Sequence, residues 1–391
     1  MSRYEILNAL LHFLCFFMGA GIGSFLNVVI YRLPRGISVN NPRRSFCPSC
    51  QYKIPWYQNI PLASWLLLRG RCANCGGGIS ARYFGVELLT GLVFYGIFWQ
   101  VGGDWAAIKD WGPQMLLLWI FASLLVAGSF IDIEHFILPH EITIGGTVVG
   151  LGGAALVPAM MGEETHLRGF MISLASAALG LGGLWLVVEL GKLAFGRKRL
   201  RFDFPTAWSV TQPDDTQPPV VTLGEEKTGW ADIFSRASDR MIITAPALKV
   251  NDRSYDNVVA ELWMEKLKVR HGDGKLDEFA LEGVTFLEGS TTNIVIPREA
   301  MGFGDVLLLM MIGSFTGWKC VLFTVLASSI LGVLIPTALR LLKVSDWGQK
   351  IPFGPYLAAG AMLWVFRGPE IMEWYFGLGR ILGGLLLRVI L

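Results

Sequence analysis

Four of the six cysteines stand in two closely spaced pairs that could bind a metal ion. Two residues lie between the cysteines of each pair, and 21 residues separate the pairs. Thiolates at this spacing can surround one Zn²⁺ tetrahedrally, and such a set leaves no coordination position open for catalysis. Two disulfides or four free thiols are the alternatives, and a reducing cytoplasm disfavours the disulfides. We therefore predict a structural zinc site formed by Cys47, Cys50, Cys72 and Cys75.

Two aspartates border long apolar runs. Asp132 ends one run, and Asp305 begins another, directly after Gly302 and Gly304. An ionisable side chain costs about 2.5–3.5 kcal/mol at the centre of a membrane helix on insertion scales, so its presence usually has a functional reason. Two carboxyl groups that share a proton can activate a water and protonate a leaving amine. The pair predicts aspartic-protease chemistry, and the two glycines would let a substrate backbone come close.

The two aspartates also have non-catalytic interpretations. An aspartate at the end of a span can be an interfacial charge, and one before a helix can be an N-cap. A metal-dependent hydrolase is a competitor, although the chain has no His-Glu-x-x-His motif. Glu87 and Glu189 also fall within apolar runs, where each could pair with a polar neighbour. The residues that could form the competing metal site are Glu134, His135, His140 and Glu141.

The composition is that of a membrane protein. Of 391 residues, 53% are hydrophobic and 16% are charged, whereas an average soluble domain is about 25% charged. An ordinary soluble enzyme and a disordered chain are therefore both excluded. The formal net charge of +2 gives no reason to expect a nucleic-acid partner. Residues 197–300 carry 31 charged side chains and the other 287 residues carry 33, which predicts one soluble insert in a membrane bundle.

A transmembrane helix needs roughly 20 mostly apolar residues, and we interpret eight apolar runs as spans, of which the sixth is short and could start at Gly302. They predict an all-α polytopic bundle of about eight transmembrane helices. The first run continues past small residues that imitate a cleavage site, so we expect a permanent anchor. The tail at 371–391 could extend the last span, lie at the interface or cross as a ninth span. The eight runs are 6–31, 83–101, 113–131, 142–161, 170–195, 306–318, 321–342 and 353–366.

The loops indicate an orientation, because Lys and Arg are retained on the cytoplasmic side. The loop at 32–82 has eight basic residues and no acidic one. Alternation from this loop places Asp132, Asp305 and the insert in the cytoplasm or at its face, and the N-terminus outside. The predicted parts are a first transmembrane helix at 1–31, a cytoplasmic zinc-knuckle loop at 32–82, helices 2–5 at 83–196, a soluble insert at 197–300, and helices 6–8 with the tail at 301–391.

The insert is predicted to be a small β-rich cytoplasmic domain without catalytic residues. It opens with a Pro-rich polar stretch at 204–219, which is typical of a linker. Runs with strand character follow at 241–250, 258–270 and 279–297, with Gly and Asp between them.

The chain resembles the type IV prepilin peptidases, bifunctional membrane aspartic proteases of the Gly-x-Gly-Asp class. The shared motifs occur in order along nearly the whole chain except the insert. They are 23–28, 31–34, the two cysteine pairs around 59–61, Arg82-Tyr83, Glu87, Ile131-Asp132, 302–305 and 352–356.

This resemblance implies catalytic roles for Asp132 and Asp305 and zinc binding by the four paired cysteines. It also implies cleavage of the leader from type IV prepilins or type II secretion pseudopilins, at the cytoplasmic face of the bacterial inner membrane. The same enzymes usually methylate the new N-terminus with S-adenosylmethionine. The sequence alone does not locate a pocket for that cofactor.

Three features depart from the family pattern. The chain has His140 where the family usually has Asp after Leu-Pro, and Leu307 where it usually has Lys. Compact members also lack the insert. Because the aspartate pair is intact, we keep proteolysis as the leading hypothesis and leave methylation and substrate range open. The alternative from another class is a non-catalytic, zinc-containing membrane scaffold of a pilus or secretion assembly.

Overall fold

The chain forms a helical unit interrupted by a β-sheet unit. The structure is a computed structural model that describes residues 3–41, 45–195, 197–212, 218–234, 239–297, 302–342 and 351–390. By contacts, one compact unit is Met1–Trp185 with Gly302–Leu391, and the other is Leu186–Met301. The predicted combination of a helical bundle with a β-rich insert is therefore confirmed.

The helical unit is built from long apolar helices. Five helices of the described chain are long and apolar enough to cross a membrane: α1, α3, α4, α6 and α8. Short 3₁₀ turns lie at Leu33–Arg35, Trp56–Gln58 and Pro158–Met161. The α-helices are α1 Arg3–Arg32, α2 Ala63–Leu67, α3 Ala81–Gln100, α4 Trp105–His135, α5 His140–Leu156, α6 His166–Phe195, α8 Phe303–Leu341 and α9 Gly354–Ile390.

Local capping explains where the central helices begin. Ser80 precedes α3, and its hydroxyl accepts a hydrogen bond from the Arg82 N–H at 3.2 Å. Asp104 precedes α4, and its carboxylate accepts from the Ala107 N–H at 2.8 Å. Both are favoured N-cap residues because they satisfy N–H groups that lack a partner within the helix.

Aromatic packing holds α3 against α4. Phe94 and Trp119 stack with their ring centroids 4.9 Å apart, and Trp119 Nε1 donates to the Phe94 carbonyl at 3.1 Å. The indole N–H thus finds a partner although it is buried, as aromatic side chains with a polar atom require.

Helix α8 reverses direction at Gly317. This glycine has φ 83° and ψ 171°, which is not helical and is open to glycine at no steric cost. A Cβ built on Gly313 would lie 3.0 Å from Val321 Cγ2. Side chains eight residues apart on one straight helix are about 12 Å apart along its axis, so the two halves must fold back on each other. The sequence predicted two spans here, at 306–318 and 321–342, and the reversal lies between them.

The β-sheet unit is one antiparallel sheet of eight strands, in the order β3-β2-β1-β8-β4-β5-β6-β7. A short helix, α7 Trp230–Ile233, and a 3₁₀ turn at Leu281–Gly283 connect strands. The strands are β1 Arg197–Thr211, β2 Val220–Leu223, β3 Glu226–Gly229, β4 Arg240–Val250, β5 Arg253–Trp263, β6 Lys266–Arg270, β7 Leu276–Ala280 and β8 Leu287–Pro297.

The linker predicted at 204–219 is wrong over 204–211. Those residues are the second half of β1, which pairs with β8 from Arg197↔Pro297 to Val210↔Leu287. The pairing shifts register between Arg201 and Thr206, and the intervening Pro205 has no N–H to donate to the ladder. Tertiary pairing overrides the local Pro signal here. Residues 213–217 of the predicted linker lie outside the described residues.

The sheet has its own hydrophobic core. Trp208, Met241, Ile243 and Leu262 are almost fully buried, and Phe234 packs with them. Apolar side chains alternate with exposed ones along β4 and β6, which is the pattern of a sheet with one face against a core. The predicted run at 258–270 is two strands, β5 and β6, joined by a tight connection.

Candidate active site and cysteine cluster

Asp132 lies three residues before the end of α4, and its side chain is 6% exposed. The helix ends because Phe136 adopts a left-handed conformation with φ 55°, and its N–H donates to the Asp132 carbonyl at 2.9 Å. The chain then changes direction and continues into α5. This termination fixes the aspartate in the last turn of a rigid element.

The start of α9 directs a backbone donor at Asp132. The Gly354 N–H donates to Asp132 Oδ2 at 2.9 Å in a buried setting. A Cβ on Gly354 would lie only 2.7 Å from the same oxygen, so a larger residue would push the carboxylate away. Hydrogen bonds from N–H to a carboxylate are among the stronger ones in proteins.

Asp305 lies in the first turn of α8 and is 8% exposed. Its N–H donates to the Gly302 carbonyl at 3.3 Å. The segments that carry the two aspartates meet at Leu138, which lies against Gly304, next to Asp305, and against Gly354, next to the Asp132 carboxylate. The structure thus brings together two buried carboxyl groups from the end of α4 and the beginning of α8.

Leu138 connects the segments around the aspartates. This buried side chain packs against Gly304 in the first turn of α8 and against Gly354 at the start of α9. A Cβ built on Gly304 would lie 2.9 Å from Leu138 Cβ, and one built on Gly354 would lie 3.5 Å from Leu138 Cδ1. Gly304 is therefore explained by packing against Leu138. Gly302 is exposed, and a Cβ there would lie 3.8 Å from Asp305 Oδ2, so among the described residues the space beside this carboxylate is open.

The residues of the competing metal site have other roles or positions. Glu134 accepts a hydrogen bond from Arg82 in an ion pair, and His135 Nε2 is 4.0 Å from the second oxygen of Glu134. His140 and Glu141 begin α5, where both are exposed. Within the part of the chain that the structure describes, the side chains gathered tightly enough to hold a metal ion are the four paired cysteines.

The four cysteine sulfurs all lie within 4.8 Å of one another. Cys47 Sγ is 3.9 Å from Cys75 Sγ, and Cys50 Sγ is 4.0 Å from Cys72 Sγ. A tetrahedron with Zn–S bonds of about 2.3 Å has edges of about 3.8 Å. All four are free thiols and not disulfides, so the donor set fits a zinc ion.

Two similar turns present these sulfurs. The Gln51 N–H donates to the Cys47 carbonyl at 2.9 Å, and the Gly76 N–H donates to the Cys72 carbonyl at 2.9 Å. Gln51 and Gly76 both have positive φ, 57° and 69°. Hydrogen bonds from the Tyr52 backbone and the Asn74 side chain lower the pKa of the Cys50 thiol to about 7, which favours the thiolate that a metal needs.

The two glutamates within apolar runs are paired as predicted. Glu87 Oε2 accepts from the Leu62 N–H at 2.7 Å, and Glu189 Oε1 accepts from Lys192 at 3.2 Å. Leu62 belongs to the cysteine loop, so Glu87 ties this loop to α3.

Sequence reasoning misses Gly354 and Leu138 as parts of the site. The segment 352–356 stands out in the sequence only as a shared motif, and nothing in the sequence singles out Leu138. The available signal is a glycine at the start of an apolar run, next to a proline suited to the first turn of a helix.

The fold and site define a class: an apolar helical protein with two paired buried carboxyls and a four-cysteine cluster. The model of the Bacterial Peptidase A24 N-terminal domain matches residues 17–101. The model of the Type IV leader peptidase family matches residues 119–199 and 276–337, which include both aspartates. The chain belongs to the type IV leader peptidase family.

Relatives named prepilin leader peptidase/N-methyltransferase extend the match. One from Stutzerimonas stutzeri is 27% identical over 97% of this chain and 100% of its own length. One from Neisseria gonorrhoeae is 34% identical over 50% of this chain and 71% of its own length. One from Myxococcus xanthus is 41% identical over 45% of this chain and 54% of its own length. No solved structure matches the chain.

Proposed function

We propose that this chain is a membrane aspartic endopeptidase that removes the leader from type IV prepilins or type II secretion pseudopilins. The observation that carries the proposal is the convergence of Asp132 and Asp305, both buried, beside the exposed Gly302. The relatives named as prepilin leader peptidases support the choice of substrate.

In the proposed reaction the two carboxyl groups divide the proton transfers. The ionised carboxylate takes a proton from a water molecule while the water oxygen bonds to the scissile carbonyl carbon. The protonated partner then gives its proton to the amine nitrogen as the C–N bond breaks. Two close carboxyls suit this division, because repulsion keeps one of them protonated. The Gly354 N–H holds Asp132 in position throughout.

Cleavage is proposed at the cytoplasmic face of the bacterial inner membrane. The ion pair between Arg82 and Glu134 supports this orientation. Arg82 ends the basic loop at 32–82, and Glu134 lies two residues after Asp132. The aspartate site is therefore on the same side as the loop, and basic loops are retained in the cytoplasm. Eight crossings fit this arrangement, with α1, α3, α4, α5, α6 and α9 crossing once and α8 crossing twice.

A structural zinc ion is proposed for the cysteine cluster. The sulfur separations near 3.9 Å match the edges of a zinc–thiolate tetrahedron. The four thiolates would complete the coordination sphere, so the ion would order the loop at 32–82 and take no part in hydrolysis.

N-methylation of the new N-terminus is the second proposed activity. It rests on the names of the relatives, in which the two activities occur together. The departure at His140 leaves the aspartate pair intact, since this residue begins α5 and the segments that carry Asp132 and Asp305 still meet at Leu138. S-adenosylmethionine would supply the methyl group on a sulfonium.

Cleavage of a prepilin by purified protein tests the peptidase. Asp132→Asn and Asp305→Asn should each lower cleavage at least about 10³-fold, and the double variant should be no worse, because the two groups act as a unit. Asp110→Asn, an exposed acid on α4, is the matched control and should cleave normally. If both site variants also cleave normally, the chain is not an aspartic peptidase, and the scaffold hypothesis takes its place.

A further inference from the structure

A cavity of about 310 Å³ lies between α1, the cysteine loop and α3. We call it the loop cavity; residues of all three segments line it. Its size is at the lower end of the range of small-molecule sites, about 300–1,000 Å³. The peptidase reaction proposed above makes no use of it.

The loop cavity contains a buried carboxylate. Glu87 is 9% exposed and lines the wall. Its carboxylate accepts hydrogen bonds from the Leu62 N–H and the Ser24 hydroxyl, and both donors are neutral. A buried carboxylate is best compensated by a positive charge, so the cavity favours a ligand that carries one.

A second polar group in the wall lacks a partner. Asn27 is 2% exposed, and its Nδ2 donates to the Tyr83 carbonyl at 3.0 Å. Its Oδ1 is buried without a hydrogen-bond partner among the described residues. Buried acceptors are rarely left unpaired, and a ligand N–H would satisfy this one.

Aromatic and basic groups complete the wall. Tyr31, Tyr83 and Trp65 line the cavity, and the guanidinium groups of Arg35 and Arg82 already lie over the rings of Tyr31 and Tyr83. Arg32 is also in the wall, where its Nη1 donates to the carbonyls of Ser38 and Val39 at 3.2 and 3.0 Å. The lining therefore offers both signs of charge, which suits a zwitterion with an additional cationic centre.

We propose that the loop cavity is the binding site for S-adenosylmethionine, an inference that rests on the proposed methyltransferase activity. This molecule carries a sulfonium, an ammonium, a carboxylate and the N–H groups of adenine. Glu87 would hold a cationic group, and Asn27 Oδ1 would accept an N–H. The geometric and chemical features of the wall fit this cofactor.

The position of the loop cavity relative to the aspartates supports this assignment. Tyr83 of the wall follows Arg82, which pairs with Glu134, two residues beyond Asp132. This ion pair links α3, which lines the cavity, to the end of α4, which carries Asp132. An amine freed at Asp132 and a methyl donor in the cavity would therefore lie on the same side of the helical unit.

Equilibrium binding of radiolabelled S-adenosylmethionine to the purified full chain tests the proposal without any turnover. Glu87→Gln keeps the acceptor for Leu62 and removes the charge, and it should weaken binding at least about tenfold. Glu189→Gln makes the same change on α6 and should leave binding unchanged. Both variants should retain zinc and prepilin cleavage. Ultraviolet crosslinking of the bound label, mapped by mass spectrometry, should place it on residues 24–32, 52–65 or 83–87.

The possible results of this experiment distinguish a wrong cavity assignment from a wrong methyltransferase proposal. If the wild type binds the label but Glu87→Gln binds it equally and the crosslinks fall elsewhere, the loop cavity is the wrong site while the methyltransferase stands. If the wild type does not bind it, the methyltransferase and its site are both rejected, and cleavage still decides the peptidase. If Glu87→Gln binds the label normally but loses affinity for a peptide with the mature N-terminal amine, the cavity holds the substrate amine and the proposal is overturned.

Discussion

Gly354 and Asp132 are 222 residues apart in sequence, yet the backbone N–H of one donates to the carboxylate of the other at 2.9 Å. The contact joins the beginning of α9 to the end of α4. A backbone donor cannot be removed by a side-chain substitution, so the fold supplies this interaction through the placement of a helix start. Glycine is needed because any Cβ would lie 2.7 Å from the carboxylate oxygen.

Gly354→Ala should therefore impair cleavage strongly. The added methyl group displaces the Asp132 carboxylate and lengthens or breaks its hydrogen bond, which is worth about 1.5–3 kcal/mol to a charged acceptor. We expect the cleavage rate to fall about 10- to 100-fold at saturating prepilin, as measured by the mass of the product. Gly145→Ala, at a position with open space around it, is the control. Equal activity in the two variants would show that this contact does not position the carboxylate.

Leu138→Ala should loosen the site without unfolding the bundle. The side chain fills the space between Gly304 and Gly354, so truncation leaves a cavity beside both aspartates. Such a truncation lowers the free energy of unfolding by about 2–5 kcal/mol in a core. Here we expect it to shift the two carboxyl groups relative to each other. The cleavage rate should fall more than prepilin affinity. Ile137→Ala, at a neighbour that is 47% exposed, should behave as wild type, and a similar loss there would point to a general effect on the connection between α4 and α5.

The cysteine cluster is predictable from the sequence because its geometry is local. Two pairs with fixed spacing form similar turns, and those turns place the sulfurs. The aspartates are predictable because charge is rare in apolar runs. Their surroundings are not, because Gly354 and Leu138 reach them only through packing between helices. The first strand of the insert is misjudged for the same kind of reason, since Pro205 suggests a linker and only pairing with β8 shows a strand.

Removal of zinc should loosen the loop and leave the helices intact. The loop at 32–82 has few buried apolar side chains of its own, and metal binding commonly supplies the folding energy of such segments. Cys72→Ser should lower bound zinc from one ion per chain and increase limited proteolysis within 32–82, with little change in helical circular dichroism. Cys15→Ser, outside the cluster, should keep one zinc ion. A wild-type chain with less than one zinc ion and four freely alkylated cluster thiols would contradict the zinc site.

The insert should be dispensable for peptide hydrolysis. Its first and last strands are paired, with Arg197 opposite Pro297 and Arg199 opposite Val295, so its two ends already lie side by side. The family model also skips residues 200–275, and no candidate acid or base of the reaction comes from the insert. Replacing 200–294 with Asn-Gly should close β1 onto β8 through a two-residue turn, which this dipeptide favours. We expect the shortened chain to keep at least part of its prepilin cleavage, measured beside the same deletion carrying Asp305→Asn as the inactive reference. Complete loss of cleavage in a shortened chain that still binds zinc and keeps its helical signal would mean that the insert docks the substrate or gates the aspartates.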